Sequence, residues 1–318
     1  MGSTGQNPAQ GNLTALVGFI LLGFSDVPDL QGFLFGVFLI IYMIILMSNS
    51  LIIIITQVDP SLQTPMYFFL RNFSSLEICY VPVTIPRLLI DLCRQNRNIS
   101  FLACAIQMYF FLILGATECF ILTAMAYDRY VAICNPLLCP LIMNNRLRIQ
   151  LAAGCWISGI PVHTGFTYQI FSLPFCGSNQ LNHFFCDIPP VLKLACGDTC
   201  MIKMLIYVVT VLVVTILLTL ILGSYVKIIS TILKLPVANG RDKAFSTCSS
   251  HLMVVALFFA SGIITYLTPK SSHLTGMDKF LSLFYTIMTP MFNPIIYCLR
   301  NKDVMVALRK FLPKWIVL

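Results

Sequence analysis

The sequence predicts an all-α membrane protein, a bundle of seven transmembrane helices followed by a short amphipathic eighth. Three observations predict it. Hydrophobic residues fill 58% of the 318 positions and charged residues only 10%, against about a quarter charged in a soluble domain. The apolar residues run in stretches of about twenty or more, the length an α-helix needs to cross ~30 Å of hydrocarbon. They do not show the ~10-residue alternation of a membrane barrel.

Taken in order, the helices are expected at Phe33 to Gln57, Met66 to Ile90, Phe101 to Tyr130, Ile149 to Ile170, Lys203 to Ile228, Phe245 to Leu267 and Phe280 to Leu299. This divides the chain into an outer segment 1–32, a bundle 33–299 and a tail 300–318. Twelve lysines and arginines fall on one set of loops and helix ends, among them Arg129, Arg146, Arg148 and Lys310, and seven on the other. The richer side is expected to be cytoplasmic, which puts the C-terminus inside and the N-terminus outside. Subtracting the acids of each side leaves +8 inside and +1 outside, a charge that suits anionic inner-leaflet lipid and cytoplasmic partners rather than nucleic acid.

The segment before the first helix carries Asn12, Leu13, Thr14, a glycosylation acceptor on the expected outer side. Similar triplets at Asn72 and Asn98 lie inside a helix and against the bilayer. The apolar run Leu13 to Phe24 follows no basic region and precedes no small-residue cleavage pattern, so it is expected to stay on the chain as an outer segment.

The third helix ends in Met125 to Cys134, MAYDRYVAIC, where Asp128 can hold Arg129 in an ion pair that a partner could later open. Deep in the second and third helices stand Glu77 and Glu118, each costing ~2.5 to 3.5 kcal/mol if ionised there. Glu118 and Arg129 are eleven residues apart, about three turns, so both look into the bundle. With Asn49 and Asn293 the two acids are expected to form a polar core holding a sodium ion, a shared proton or water, or simply bonding the helices together. No residue set has compact metal-ligand spacing.

The loop from Phe171 to about Thr199 is long and carries Cys176, Cys186 and Cys196, with Cys104 at the top of the third helix. These four are on the oxidising side and should pair, each bond adding ~2 to 4 kcal/mol. Spacing alone leaves three connectivities open. A zinc site of Cys176, His183, Cys186 and Cys196 is the weaker reading. Cys93 and Cys200 stay unassigned. Beyond Pro290 and Pro294, which are expected to hinge the seventh helix beside Asn293, Val304, Ala307, Leu308 and Phe311 recur at helical spacing against Lys302, Arg309, Lys310 and Lys314. That pattern predicts an interfacial helix.

These motifs, in this order, resemble a family over nearly the whole chain. The residues that carry the likeness are FILLGFS at Phe19 to Ser25, PMYFFL at Pro65 to Leu70, MAYDRYVAIC at Met125 to Cys134, Ser224 with Tyr225, KAFSTCSSHL at Lys243 to Leu252, and PMFNPIIYCLRNKDV at Pro290 to Val304. The chain resembles the vertebrate olfactory receptors, rhodopsin-like G-protein-coupled receptors, in their terrestrial-type branch. The resemblance implies disulfides Cys104–Cys186 and Cys176–Cys196. It implies a switch in which Arg129, beside Asp128 and Tyr130, rearranges with Tyr225, Tyr297, Asn293 and His251 as the sixth helix swings outward for a stimulatory, olfactory-type heterotrimeric G protein. Departures from the family pattern are Ser48 before Asn49, Glu77 for a commoner aspartate, Leu138 and Cys139 after Asn135, Pro136, Leu137, and Phe259 for a tyrosine.

The small-molecule odorant is expected between the third, fifth and sixth helices under the stapled loop. Met108, Leu112 and Gly115 form one stripe on the third helix. Phe111, Thr210, Phe259, Ile263, Tyr266 and Thr286 complete the set, and each could equally be ordinary interhelical packing. No carboxylate is expected in this upper region, which favours a neutral, mostly apolar volatile met by Tyr266 or Thr210. A transporter would show inverted repeats and an ionisable path, and an enzyme a recognisable cluster of base and nucleophile. The sequence has neither, so no enzymatic activity and no cofactor are expected.

Overall fold

A computed structural model of the chain describes residues 18–94, 97–176, 178–234, 238–267 and 275–311. Asn12 and Lys314 lie outside them. The bundle is built around α3, Phe101–Cys134, which packs against α2, Pro65–Cys93, and α1, Gln31–Val58, completes that side by packing on α2. A short α4, Cys139–Ile142, leads into the fourth span, which is two helices rather than the single one expected: α5, Asn145–Ser158, and α6, Ile160–Phe171. Pro161 lacks the amide that would continue the ladder, and its ring crowds the preceding turn. At Gly159, between them, a Cβ would come within 3.1 Å of the Ala116 Cβ, so the break lets the fourth span lie close on α3.

A short α7, Ile188–Leu192, lies in the long loop; α8, Cys200–Leu233, and α9, Ala238–Leu267, are the fifth and sixth spans. The seventh is α10, Thr275–Leu283, then a π-helical turn Phe284–Met288, then α11, Thr289–Arg300. The wider turn comes just before Pro290, whose missing donor frees a carbonyl upstream; the Thr289 hydroxyl donates to the Phe284 carbonyl at 3.3 Å.

Five helical segments among the described residues are long and apolar enough to cross a membrane by length and composition. The other two spans of the seven are α2, which carries Arg71, Glu77, Arg87 and Asp91, and the interrupted α5–α6 pair. On α8, Leu212, Ile216 and Leu220 are more than half exposed and four residues apart, a stripe that faces acyl chains rather than protein.

Nothing in the sequence signals strands, yet the described residues form three. β1, Gly18–Leu21, sits between β2, Asn98–Ser100, to which it is antiparallel, and β3, Gln180–Leu181, to which it is parallel. A Cβ on Gly18 would lie 2.4 Å from the Ile99 carbonyl oxygen, so only glycine fits there. The sheet buries Phe19 and Leu21 against Cys104, Met108 and Cys186. Lys279 ties the same segment to α10, donating to the Gly23 carbonyl at 2.8 Å and pairing with Asp26 at 3.1 Å.

At the opposite end α12, Lys302–Phe311, does not merely lie along a surface. Val304 and Ala307 are buried in the main core. Asn301 accepts from the backbone N–H of Asp303 and Val304, and the Tyr67 hydroxyl reaches Asn301 at 3.2 Å and Asp303 at 3.3 Å.

Candidate functional site

At the end bearing the sheet, two disulfides join Cys104 to Cys186 and Cys176 to Cys196, with Cα separations of 5.5 and 5.8 Å. Cys93 and Cys200 are free and exposed. The first bridge brings residues 183 to 187 down onto the bundle. Gln107, one turn below Cys104, clamps them: its amide donates to the Val83 carbonyl at 2.8 Å and its oxygen accepts from the Cys186 N–H at 3.0 Å. The His183 ring lies between the Phe185 carbonyl, 3.2 Å away, and the Ser282 hydroxyl, 3.0 Å away.

The same descent corrects one expectation. Asp187 is buried beside the expected ligand region, where it accepts from the Tyr266 hydroxyl at 3.1 Å and the Tyr285 hydroxyl at 3.2 Å. A carboxylate is therefore present in the upper bundle. The residue next to a cysteine bridged to α3 must be carried to the bundle mouth, and that adjacency was the available signal. Tyr266 is accordingly already engaged, and a ligand group must compete with Asp187 for its hydroxyl.

Phe111 is the aromatic hub of this end, with ring centroids 4.8 Å from Phe185, 5.4 Å from Tyr80 and 5.9 Å from Tyr285. Met108 is fully buried with the disulfide and sheet residues, while Leu112 touches both that cluster and the main core. Beside Gly115 there is open space: a Cβ there would meet nothing within 4 Å. Phe259 is buried, Thr210 and Ile263 are half-buried, and the Thr286 hydroxyl is turned onto its own helix, donating to the Ser282 carbonyl at 2.6 Å.

Lower in the bundle, the Asn293 amide donates to Glu77 at 2.5 Å and is also within hydrogen-bonding reach of Glu118. One oxygen of each carboxyl group and the Asn293 carbonyl oxygen are buried without a partner. Such atoms could accept a proton or a small cation, since each costs free energy while unpaired. Asn49 is buried too, but its amide donates to the Ile45 carbonyl of its own helix at 2.9 Å. Among the described residues no three His, Cys, Asp or Glu side chains group as a metal site.

At the far end of α3, Arg129 pairs with Asp128 through both Nε and Nη2. Tyr225 does not reach toward this pair; its hydroxyl shares a 2.7 Å hydrogen bond with His251 Nδ1, joining α8 to α9, and the two rings stack at 5.8 Å. Tyr130 is half-buried. Tyr297 packs edge-on against Phe73 at 5.9 Å, and its buried hydroxyl has no partner. Asp128, Arg129, His251, Tyr297 and Asn301 line one narrow cleft.

Comparison with known proteins gives the family. The family model described as olfactory receptor matches residues 38–314. Olfactory receptor 10AG1 of Homo sapiens is 60% identical over 296 residues, covering 93% of this chain and 98% of that protein. Olfactory receptor 10A5 of Homo sapiens is 54% identical over 311 residues, 98% of each. Olfactory receptor 5AP2 of Mus musculus is 46% identical over 309 residues, 96% of each.

Proposed function

This chain belongs to the olfactory receptor family, and from that premise we propose that it binds small, largely apolar odorants in the upper bundle and activates a stimulatory G protein, raising cyclic AMP. The chain is a multi-pass membrane protein; we place it in the plasma membrane with residues 1–32 and the sheet outside, and residues 300–318 in the cytoplasm. The carrying observation is the cleft at the end of α3, where the Asp128–Arg129 pair stands beside the unpaired Tyr297 hydroxyl. A state in which Arg129 leaves Asp128 can offer that hydroxyl a partner, and a ligand that favours this state shifts the population toward it. Coupling between the two ends is reciprocal, so G protein raises odorant affinity by the factor by which odorant raises G-protein affinity.

The ligand set is Met108, Phe111, Leu112, Gly115, Thr210, Phe259, Ile263, Tyr266 and Thr286, with the open space beside Gly115 as its centre. Glu77, Glu118 and Asn293 would accept a sodium ion or a shared proton in the resting state, with Asn49 alongside. The test is a cyclic AMP assay over a broad odorant panel in cells with demonstrated surface delivery: a dose-dependent rise supports the reading, and silence across the panel rejects it. Asp128→Asn, which weakens the hold on Arg129, is expected to raise cyclic AMP without odorant; unchanged basal signal at equal surface amount would remove the pair from the switch.

A further inference from the structure

At the Arg129 end, but away from its cleft, a second pocket opens between the first turns of α2 and α5. It offers about 610 Å³ of space, part of it open, and is lined by Gln63, Thr64, Phe68, Arg71, Asn145 and Arg148, among others. Both guanidinium groups stand 5.6 Å from the centroid of one ring, that of Phe68. Among the described residues neither arginine is ion-paired with a carboxylate. Arg148 donates from Nη2 to Asn145, while its Nε is buried without a partner. Two like charges gathered on one ring repel, and the arrangement leaves donor capacity unused.

Two long helices also begin here. The first turn of α2 has no side-chain cap, since the Thr64 hydroxyl does not bond back to it, whereas α5, which starts at Asn145, is capped by the Asn144 side chain accepting from the Leu147 N–H at 2.9 Å. The dipoles of both helices add to the positive potential. Asp59, the acid of the adjoining loop, is already committed: it accepts from the Ser61 hydroxyl and N–H and lies 3.8 Å from Lys310. Those bonds to Ser61, and more weakly Lys310, hold its carboxyl below the usual range. Gln63 likewise spends its amide on the Thr56 and Gln57 carbonyls.

We propose that this pocket binds the phosphate monoester of an anionic inner-leaflet lipid, a phosphoinositide headgroup clamped between Arg71 and Arg148. A guanidinium fork matches phosphate oxygens in pairs, and the unpaired Nε supplies one prong. Basic pockets between membrane helices on the cytoplasmic side suit such headgroups. The choice of lipid over free phosphate rests on the orientation proposed above, which sets the pocket at headgroup depth.

The test is binding of fluorescent phosphatidylinositol 4,5-bisphosphate to the purified full-length chain in phosphatidylcholine nanodiscs, a readout that needs neither odorant nor G protein. Arg71→Gln and Arg148→Gln are each expected to weaken binding about tenfold, the loss of one charge-assisted contact. Arg146→Gln, an exposed charge on the same helix, should leave it unchanged. Arg148→Lys, which keeps the charge and loses the fork, should fall between and serves if the glutamine variant does not fold. Equal binding by the parent and both glutamine variants would overturn the pocket, as would an equal loss in Arg146→Gln. Soluble inositol trisphosphate binding as tightly as the lipid would overturn the lipid assignment.

Discussion

Two polar clusters, one where the loop meets the bundle under the sheet and one from Glu77 to the end of α3, treat their groups in opposite ways. In the cluster under the sheet, the groups that hold the loop down are used up: Gln107 bonds in two directions, His183 lies between two partners, and Asp187 accepts from two phenols beside a disulfide, although Thr84, Thr167 and Thr265 nearby each keep a buried hydroxyl without a partner. From Glu77 downward they are left over, with single unpaired oxygens on Glu77, Glu118, Asp128, Asn293 and Tyr297. A saturated network has one arrangement, whereas an unsaturated one has several of similar energy. The difference teaches where this molecule is held and where it is free to change.

That contrast can be broken by substitution. The largest effect is expected from Cys104→Ser, which unpins the loop: a loss of ~2 to 5 kcal/mol, read as failure of surface delivery in a flow-cytometric assay. Asn293→Ala leaves two carboxyl groups without their amide and should cost ~1 to 3 kcal/mol, read as a lower melting temperature of the purified chain. Tyr266→Phe removes one of the two phenol donors to Asp187 in the saturated cluster, ~1 kcal/mol, with the same readout; an unchanged melting temperature would mean that this cluster is not saturated after all. The smallest change belongs to Tyr297→Phe. It deletes a hydroxyl that has no partner, so stability should stay level while the odorant-evoked cyclic AMP response falls. A marked loss of stability there would erase the distinction between the clusters.

Much of this was legible beforehand, and the exceptions have physical causes. Helices such as α1 and α8 are apolar on nearly every side, so length alone marks them. The end of α3 announces itself because Asp128 and Arg129 are rare so near hydrocarbon. The break at Gly159 was missed although Pro161 signals it, because the hydrophobic run continues through both. β1 was invisible for another reason: four residues with partners far along the chain carry no period of their own. Asp187 was misjudged because it belongs to a loop, and loop residues acquire an address only when a covalent bond fixes one. Asn49 shows the limit of polarity as a guide, since its amide bonds to its own helix one turn away, a partner that sequence cannot tell from one on a neighbouring helix.

The position of β1 has a consequence for how the molecule is made. It is the middle strand of its sheet and precedes every helix, yet Gln180–Leu181 follows about half a chain later. During synthesis the segment can pair with Asn98–Ser100 once two spans are made, but its other edge must wait while four spans enter the membrane and the long loop emerges to meet it. Closing so wide a loop is slow because its entropy is lost before any contact repays it. The sheet is thus the last part of the first half to be finished, and a chain whose fourth span is delayed keeps that strand edge open to other proteins in the meantime.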